Sequence, residues 1–252
     1  MRVVPRPRSG FFAPSRHLTE SGFPERVGES DMHVVVNAAM SADGKLSSRR
    51  RDQVRISGPE DFARVDGIRA DCDAVAVGIG TVLADDPHLT VEDPDLRAER
   101  RERGDPEHPA RVVIDTRART PTDARVLDDE SETHLLVGAD APDDRRDALH
   151  EAGAHLVEAG VERVDLAAGL DELGSEGIDR LLIEGGGEVL FSAFEAGVVD
   201  ELSVYVGSLL VGGRDAPTLA DGEGFVEAFP ELALADAERL DDGIVLSYTV
   251  EG

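Results

Sequence analysis

Residues 180–197 read RLLIEGGGEVLFSAFEAG, and the fold follows from how this stretch is parsed. Leu181, Leu182 and Ile183 form a short apolar run of strand length. Val189, Leu190, Phe191 and Phe194 then recur at helical spacing, so the stretch is a buried strand, a tight turn and an amphipathic helix. Gly185, Gly186 and Gly187 fill the turn. Three glycines cost conformational entropy, and their use where a strand hands over to a helix reads as backbone left bare to cradle a phosphate or dinucleotide. Glu184 ends the strand, where ligands bind in open α/β sheets; by position alone, a charge at a helix terminus explains it nearly as well.

The same alternation extends outward in both directions. HVVVNAAM (33–40) is a β-branched strand stopped by the turn SADGK. Ser57-Gly-Pro-Glu60 has capping-box spacing and opens an amphipathic helix, DFARVDGIRA. AVAVGI reads as a buried strand and GTVLADD as a short helical turn that Pro87 ends. RVVID and THLLVG are further strands, and DDRRDALHEAG is a helix. After Asp200 the order changes to ELSVYVG, ALADAERL and GIVLSYTV, with Asp241-Asp242-Gly243 as a hairpin turn. The expected fold is α/β: a mostly parallel central sheet with helices on both faces and a C-terminal antiparallel edge hairpin. Glu92–His108, acidic and arginine-rich, reads as an exposed loop. Residues 1–31 lack periodicity and read as a disordered extension or a misplaced start, leaving 32–252 as one domain.

Composition narrows the partners. The 252 residues carry 53 acidic against 26 basic side chains, a net charge of −27, and 40% are hydrophobic. Such a surface repels nucleic acid and anionic lipid alike, so neither is expected as a partner. Lys45 is the only lysine, and the acid excess suits a salt-rich, halophilic cytosol where screening softens self-repulsion. No apolar run is long enough for a membrane span or a secretory signal, so a cytoplasmic location is expected. The one cysteine, Cys72, excludes an internal disulfide and reads as buried filler. An anionic protein that binds anionic ligands must gather cations or amide donors locally.

A second glycine-bearing turn, VGIGTVLADDP, follows a strand: Gly78 and Gly80 allow close backbone approach, and Thr81 opens a helical turn. It lacks the third glycine and the distant acid of a dinucleotide fingerprint, so ligand turn and tight structural turn remain equal readings. Asp43 and Lys45 read as an ordinary turn. Arg69 is a cation in the last turn of its helix, and Asp85 and Asp86 a helix end. The histidines show no paired metal spacing, and neither a nucleophile elbow nor a zinc-protease motif occurs.

Taken together, NAAMSADGK, VRISGPEDFARVDGIRADCDAVAVGIGTVLADDPHLTV, ARVVIDTRARTP, LLIEGGGEVL, DELSVYVGSLLVGGRDAPTL and GIVLSYTV resemble, in order, the reductases of riboflavin biosynthesis. That family includes the reductase domain of the bacterial deaminase-reductase, and the stand-alone archaeal forms are nearer. The resemblance implies a dihydrofolate-reductase-like fold, a homodimer, NADPH (with NADH left open) and no metal. The implied reaction converts the ribosylamino group of 2,5-diamino-6-(ribosylamino)-4(3H)-pyrimidinone 5′-phosphate to ribitylamino. It implies cofactor contacts from Gly78, Ile79, Gly80, Thr81, Asp85, Thr116 and the run Gly185, Gly186, Gly187, Glu188, and substrate contacts from Asn37, Ser57, Arg69, Asp85 and Glu184. Asp85 and Glu184 become the candidate catalytic carboxylates and Arg69 a cation for the 5′-phosphate. By charge and place alone, Arg117 and Arg119, just after Thr116, read as neighbours of a 2′-phosphate. Two departures stand out: Asn37 replaces a lysine of the bacterial members, and Glu92 an arginine, so a phosphate contact must come from elsewhere. A dihydrofolate-type pterin reductase and a catalytically inactive nucleotide-binding sensor are the rival readings.

Overall fold

Nine strands form a single sheet in a computed structural model that describes residues 32–52 and 54–251; the extension expected at 1–31 lies outside the described residues. In chain order the elements are β1 (His33–Ser41), α1 (Pro59–Asp71), β2 (Ala74–Gly78), α2 (Ile79–Asp85), α3 (Pro94–Arg103), β3 (Ala110–Ile114), β4 (Thr133–Val137), α4 (Asp143–Glu151), β5 (His155–Glu158), α5 (Leu166–Ser175), β6 (Arg180–Glu184), α6 (Gly187–Glu195), β7 (Glu201–Gly207), β8 (Glu231–Leu240) and β9 (Gly243–Glu251). The strand order is β5-β4-β3-β2-β6-β1-β7-β9-β8. Pairs from β5 to β7 are parallel, while β7–β9 and β8–β9 are antiparallel. The expected sheet and its edge hairpin are therefore both present, with each helix returning the chain for another parallel strand.

Alternation along the strands divides the core between the two faces. Val34 and Val36 of β1 join Leu170 and Leu173 of α5 and Leu190 and Ala193 of α6. Val35 joins Ile68 of α1, Val82 of α2 and Leu149 of α4. A small third cluster of Ile56, Tyr205 and Val245 seats the segment before α1 against the C-terminal hairpin.

Two local expectations fail for physical reasons. Glu92–His108 is not a loop: α3 occupies most of it, capped by the Asp93 carboxylate, which accepts from Asp95 N. Arg100 is only 2% exposed and donates to the carbonyls of Ala70, Cys72 and Pro106. The charge run hid a cation that finishes the end of α1. The capping box at Ser57 also does not form. Gly58 is the N-cap residue of α1, with no capping side chain of its own. Asp241, from the turn between β8 and β9, accepts from Glu60 N and Asp61 N, and Glu60 returns the favour by accepting from Asp241 N. A Cβ on Gly58 would lie 2.3 Å from the Asp241 carboxyl carbon, so the glycine makes room for a cap supplied from far along the chain.

Candidate active site

The carboxyl ends of the parallel strands open into one cavity of about 900 Å³, with walls that include Asn37, Ser57, Asp61, Arg69, Gly78 to Thr81, Asp85, Glu184 to Val189, Arg51, Arg55 and Arg119. That volume lies near the top of the roughly 300–1,000 Å³ usual for ligand pockets.

One wall is built on glycine. α2 and α6 both start here, and neither has a capping side chain, so first-turn amides remain open to an anion. Gly185 and Gly186 have φ of 70° and 83°, which L side chains rarely adopt. Gly187 has a separate reason: a Cβ there would lie 2.3 Å from the Thr218 carbonyl. Glu188 and Asp221 line the same side. Asp85, at the end of α2, is exposed, yet the surrounding protein still pushes its carboxyl above the ordinary value.

The other wall is held by charge. Strand register sets Glu184 of β6, Asn37 of β1 and Ser203 of β7 side by side, and α1 lays two arginines over the row. Arg69 donates from Nε and Nη2 to the two Glu184 oxygens at 2.8 and 2.7 Å, and from Nη1 to the Thr90 carbonyl. Burial depresses the Arg69 guanidinium, but Glu184 more than offsets this and holds its pKa well above the ordinary arginine value. Arg64 donates to Asp61, Ser203 and Asn37. The face α1 buries is thus polar as well as apolar: Asp61 and Asp66 are buried with Ile68 and Ala70. Asp66 accepts from Glu92 N and Asp93 N, fixing the entry to α3.

Of the residues singled out from sequence, Asn37, Ser57, Arg69, Gly78, Ile79, Gly80, Thr81, Asp85, Glu184, Gly185, Gly186, Gly187 and Glu188 all line the cavity. Thr116 is not in its wall; its hydroxyl accepts from Val164 N. Arg119 lines the cavity, whereas Arg117 does not. Arg69 spends its fork on Glu184, which leaves little of it for a phosphate. Glu92 is likewise outside the wall. Sequence reasoning missed Asp61, Arg64, Arg51 and Arg55. For Asp61 and Arg64 the available signal was α1 itself, whose acids and arginines recur among too few apolar residues for a purely greasy face; Arg51 and Arg55 lie before it.

Asp43, read as a turn residue, is one: it accepts from Ser41 Oγ, Val211 N and Gly212 N, and these bonds hold its carboxyl at about 2. His88, Asp128 and Glu130 come close enough to share an ion, a grouping that spacing did not reveal. The Arg111 guanidinium, 2.6 Å from Asp128 Oδ1, already engages the Asp128 carboxylate. Burial pushes the Cys72 thiol up to about 12, so it stays protonated.

A large cavity at the strand ends of an open α/β sheet, glycine-cradled on one side and carboxylate-lined on the other, fits the dihydrofolate-reductase-like class of domains. The family described as RibD C-terminal domain matches residues 32–246, and the chain belongs to it. It is 43% identical over 215 residues to the 2,5-diamino-6-ribosylamino-4(3H)-pyrimidinone 5′-phosphate reductase of Archaeoglobus fulgidus, covering 85% of this chain and 96% of that one. It is 44% identical over 222 residues to the reductase of the same name from Methanothermobacter thermautotrophicus, covering 87% and 99%. A pyrimidine reductase-like protein from Corynebacterium diphtheriae shares the fold, with a TM-score of 0.78 at 17% identity over 88% of this chain and 92% of that one.

Proposed function

We propose that the chain reduces 2,5-diamino-6-(ribosylamino)-4(3H)-pyrimidinone 5′-phosphate to its ribitylamino form in riboflavin biosynthesis, using NADPH. The observation that carries this reading is the pairing of two unlike walls around one cavity, together with two relatives named for that activity and matched over nearly their whole length.

When bound, NADPH supplies the hydride for C1′ of the ring-opened ribosylamino group. The amides at the starts of α2 and α6, with Gly185 to Glu188, suit its diphosphate. Arg119, exposed in the cavity wall, suits a 2′-phosphate and so favours NADPH over NADH. Glu184 is gripped through both oxygens by Arg69, which fixes its remaining lone pairs toward sugar hydroxyls. Asp85, whose carboxyl keeps its proton to a higher pH than usual, is the residue suited to deliver one to the nitrogen that accepts it. Arg51 and Arg55 line the cavity with guanidinium groups that no described side chain engages. They suit the 5′-phosphate, a duty that neither Glu92 nor the occupied Arg69 can take.

The same reading includes a homodimer. Leu232 and Leu234 of β8 are 40% and 58% exposed, and Val226 and Phe229 just before it 85% and 62%, an apolar sheet edge suited to an identical partner. No helix among the described residues is long and apolar enough to cross a membrane, which supports a cytoplasmic place. The charge of −27 supports a salt-rich one.

The test is to mix the purified chain at high salt with the ribosylamino-pyrimidine phosphate and NADPH, following absorbance at 340 nm and product mass. Loss of absorbance with a product heavier by two hydrogens is expected. NADPH binding without consumption overturns the reading in favour of a sensor, and turnover only with a pterin substrate overturns it in favour of the rival reductase.

A further inference from the structure

Asn37 is 7% exposed and sits in the cavity wall. An asparagine amide can turn either end toward a ligand, presenting an acceptor oxygen or two N–H donors. Its neighbours decide which. Arg64 Nη2 lies 2.9 Å from Asn37 Oδ1, and an arginine offers only donors, so the oxygen is turned into the protein. A flipped amide would set N–H against N–H beside a buried cation. Arg64 cannot swing away to permit it: Nε donates to Asp61 at 2.9 Å, Nη1 to Ser203 Oγ at 2.8 Å, and Nη2 also lies 2.8 Å from Asp61. The Arg64 side chain is 9% exposed and that of Asp61 2%, so this clamp works out of water, where such bonds are strong.

We infer that Arg64, which does not itself line the cavity, is a positioning residue that locks the Asn37 amide with its NH2 toward the ligand, so that the site reads an acceptor atom there. The inference rests on the proposed function and on the substrate contact that the family resemblance implies for Asn37, which lines the cavity. That substrate offers acceptors of the required kind in its C4 carbonyl oxygen and in ring N1, whereas N3 carries a hydrogen and the amino groups are donors. A compound carrying a donor at the contacted position is refused, because the amide cannot turn to accept.

The decisive variant is Asn37→Asp. It is isosteric and keeps an oxygen toward Arg64, but it replaces the donor facing the cavity with an acceptor. The variant is expected to melt at or above the wild-type temperature and to bind NADPH with unchanged affinity, while KM for the pyrimidine phosphate rises by tenfold or more. Arg64→Lys keeps a countercharge for Asp61 yet cannot hold Asp61, Ser203 and Asn37 together. It should raise the same KM, and the double variant Asn37→Asp/Arg64→Lys should be no worse than Asn37→Asp alone, since Arg64 acts through the amide. Additive losses in the double variant, or a pyrimidine KM for Asn37→Asp within twofold of wild type, overturn the inference. A wild type that fails to reduce the pyrimidine overturns the proposed function and this inference together, whereas wild-type turnover with an unimpaired Asn37→Asp variant overturns the inference alone.

Discussion

The two walls of the cavity are built from opposite materials. On the α6 side, glycines and an apolar helix do the work: Leu190, Phe191 and Ala193 are buried, and the chain turns at Gly185 and Gly186. On the α1 side, ions hold the wall: Arg64 on Asp61, Arg69 on Glu184, Asp66 on the amides before α3. Apolar packing tolerates repacking and salt. A buried ion network tolerates neither the loss of one member nor an error of geometry, but it holds polar side chains at fixed angles. The wall proposed to hold the cofactor is therefore shaped chiefly by backbone, and the one proposed to hold the substrate by side chains.

Removing one ion should break the contrast most sharply. Asp61→Ala leaves the Arg64 guanidinium buried without a countercharge, and an expected loss of about 3–5 kcal/mol would appear as a large drop in the urea midpoint. A loss below 1 kcal/mol would mean that α1 is held by its apolar residues after all. The next effect falls on turnover. Asp85→Asn is expected to lower kcat by about 10²-fold or more and to remove the fall in rate as pH rises through the raised Asp85 pKa. Pre-steady-state hydride transfer measured across pH checks both, and an unchanged profile would leave Asp85 with only a structural part.

A smaller loss is expected on the glycine side. Gly186→Ala forces a side chain into φ of 83°, which costs about 1–3 kcal/mol of strain and should weaken NADPH binding with little change in pyrimidine KM. Calorimetric titration with NADPH distinguishes this from a general loss of fold. The smallest effect belongs to an ion in open water. Asp43 is held at about 2 by its hydrogen bonds, below its unfolded value. Its contribution is therefore present above about pH 4 and is lost as pH falls through about 2. Asp43→Asn should flatten stability between those limits and leave activity at neutral pH unchanged, as acid titration of the melting temperature would show.

The same division explains what could be read from the sequence. The glycine wall announced itself, because a strand, a glycine run and a helical period are local signals in RLLIEGGGEVL. The parallel core and its closing hairpin were equally legible, since β-branched runs and Asp241-Asp242-Gly243 report their own conformation. The ion wall was not. Arg64 gains its meaning from Asn37 and Ser203, residues on two different strands, and the cap of α1 comes from Asp241, 181 residues beyond Glu60. Arg100 and the helix around it read as solvated charge, because composition cannot tell a cation facing water from one facing three carbonyls. Thr116, placed in the site by resemblance, stands outside the cavity wall, while Arg119, three residues on, reaches it.

The position of β1 carries a consequence for how the chain is made. It is the first strand to leave the ribosome among the described elements, yet it lies near the middle of the finished sheet, paired to β6 and β7. Its partners emerge only after most of the chain has been synthesised. Until then HVVVNAAM is a bare apolar strand with two unsatisfied edges, the kind of segment that pairs with the wrong neighbour. Closure of the sheet is therefore a late, long-range event and a slow one.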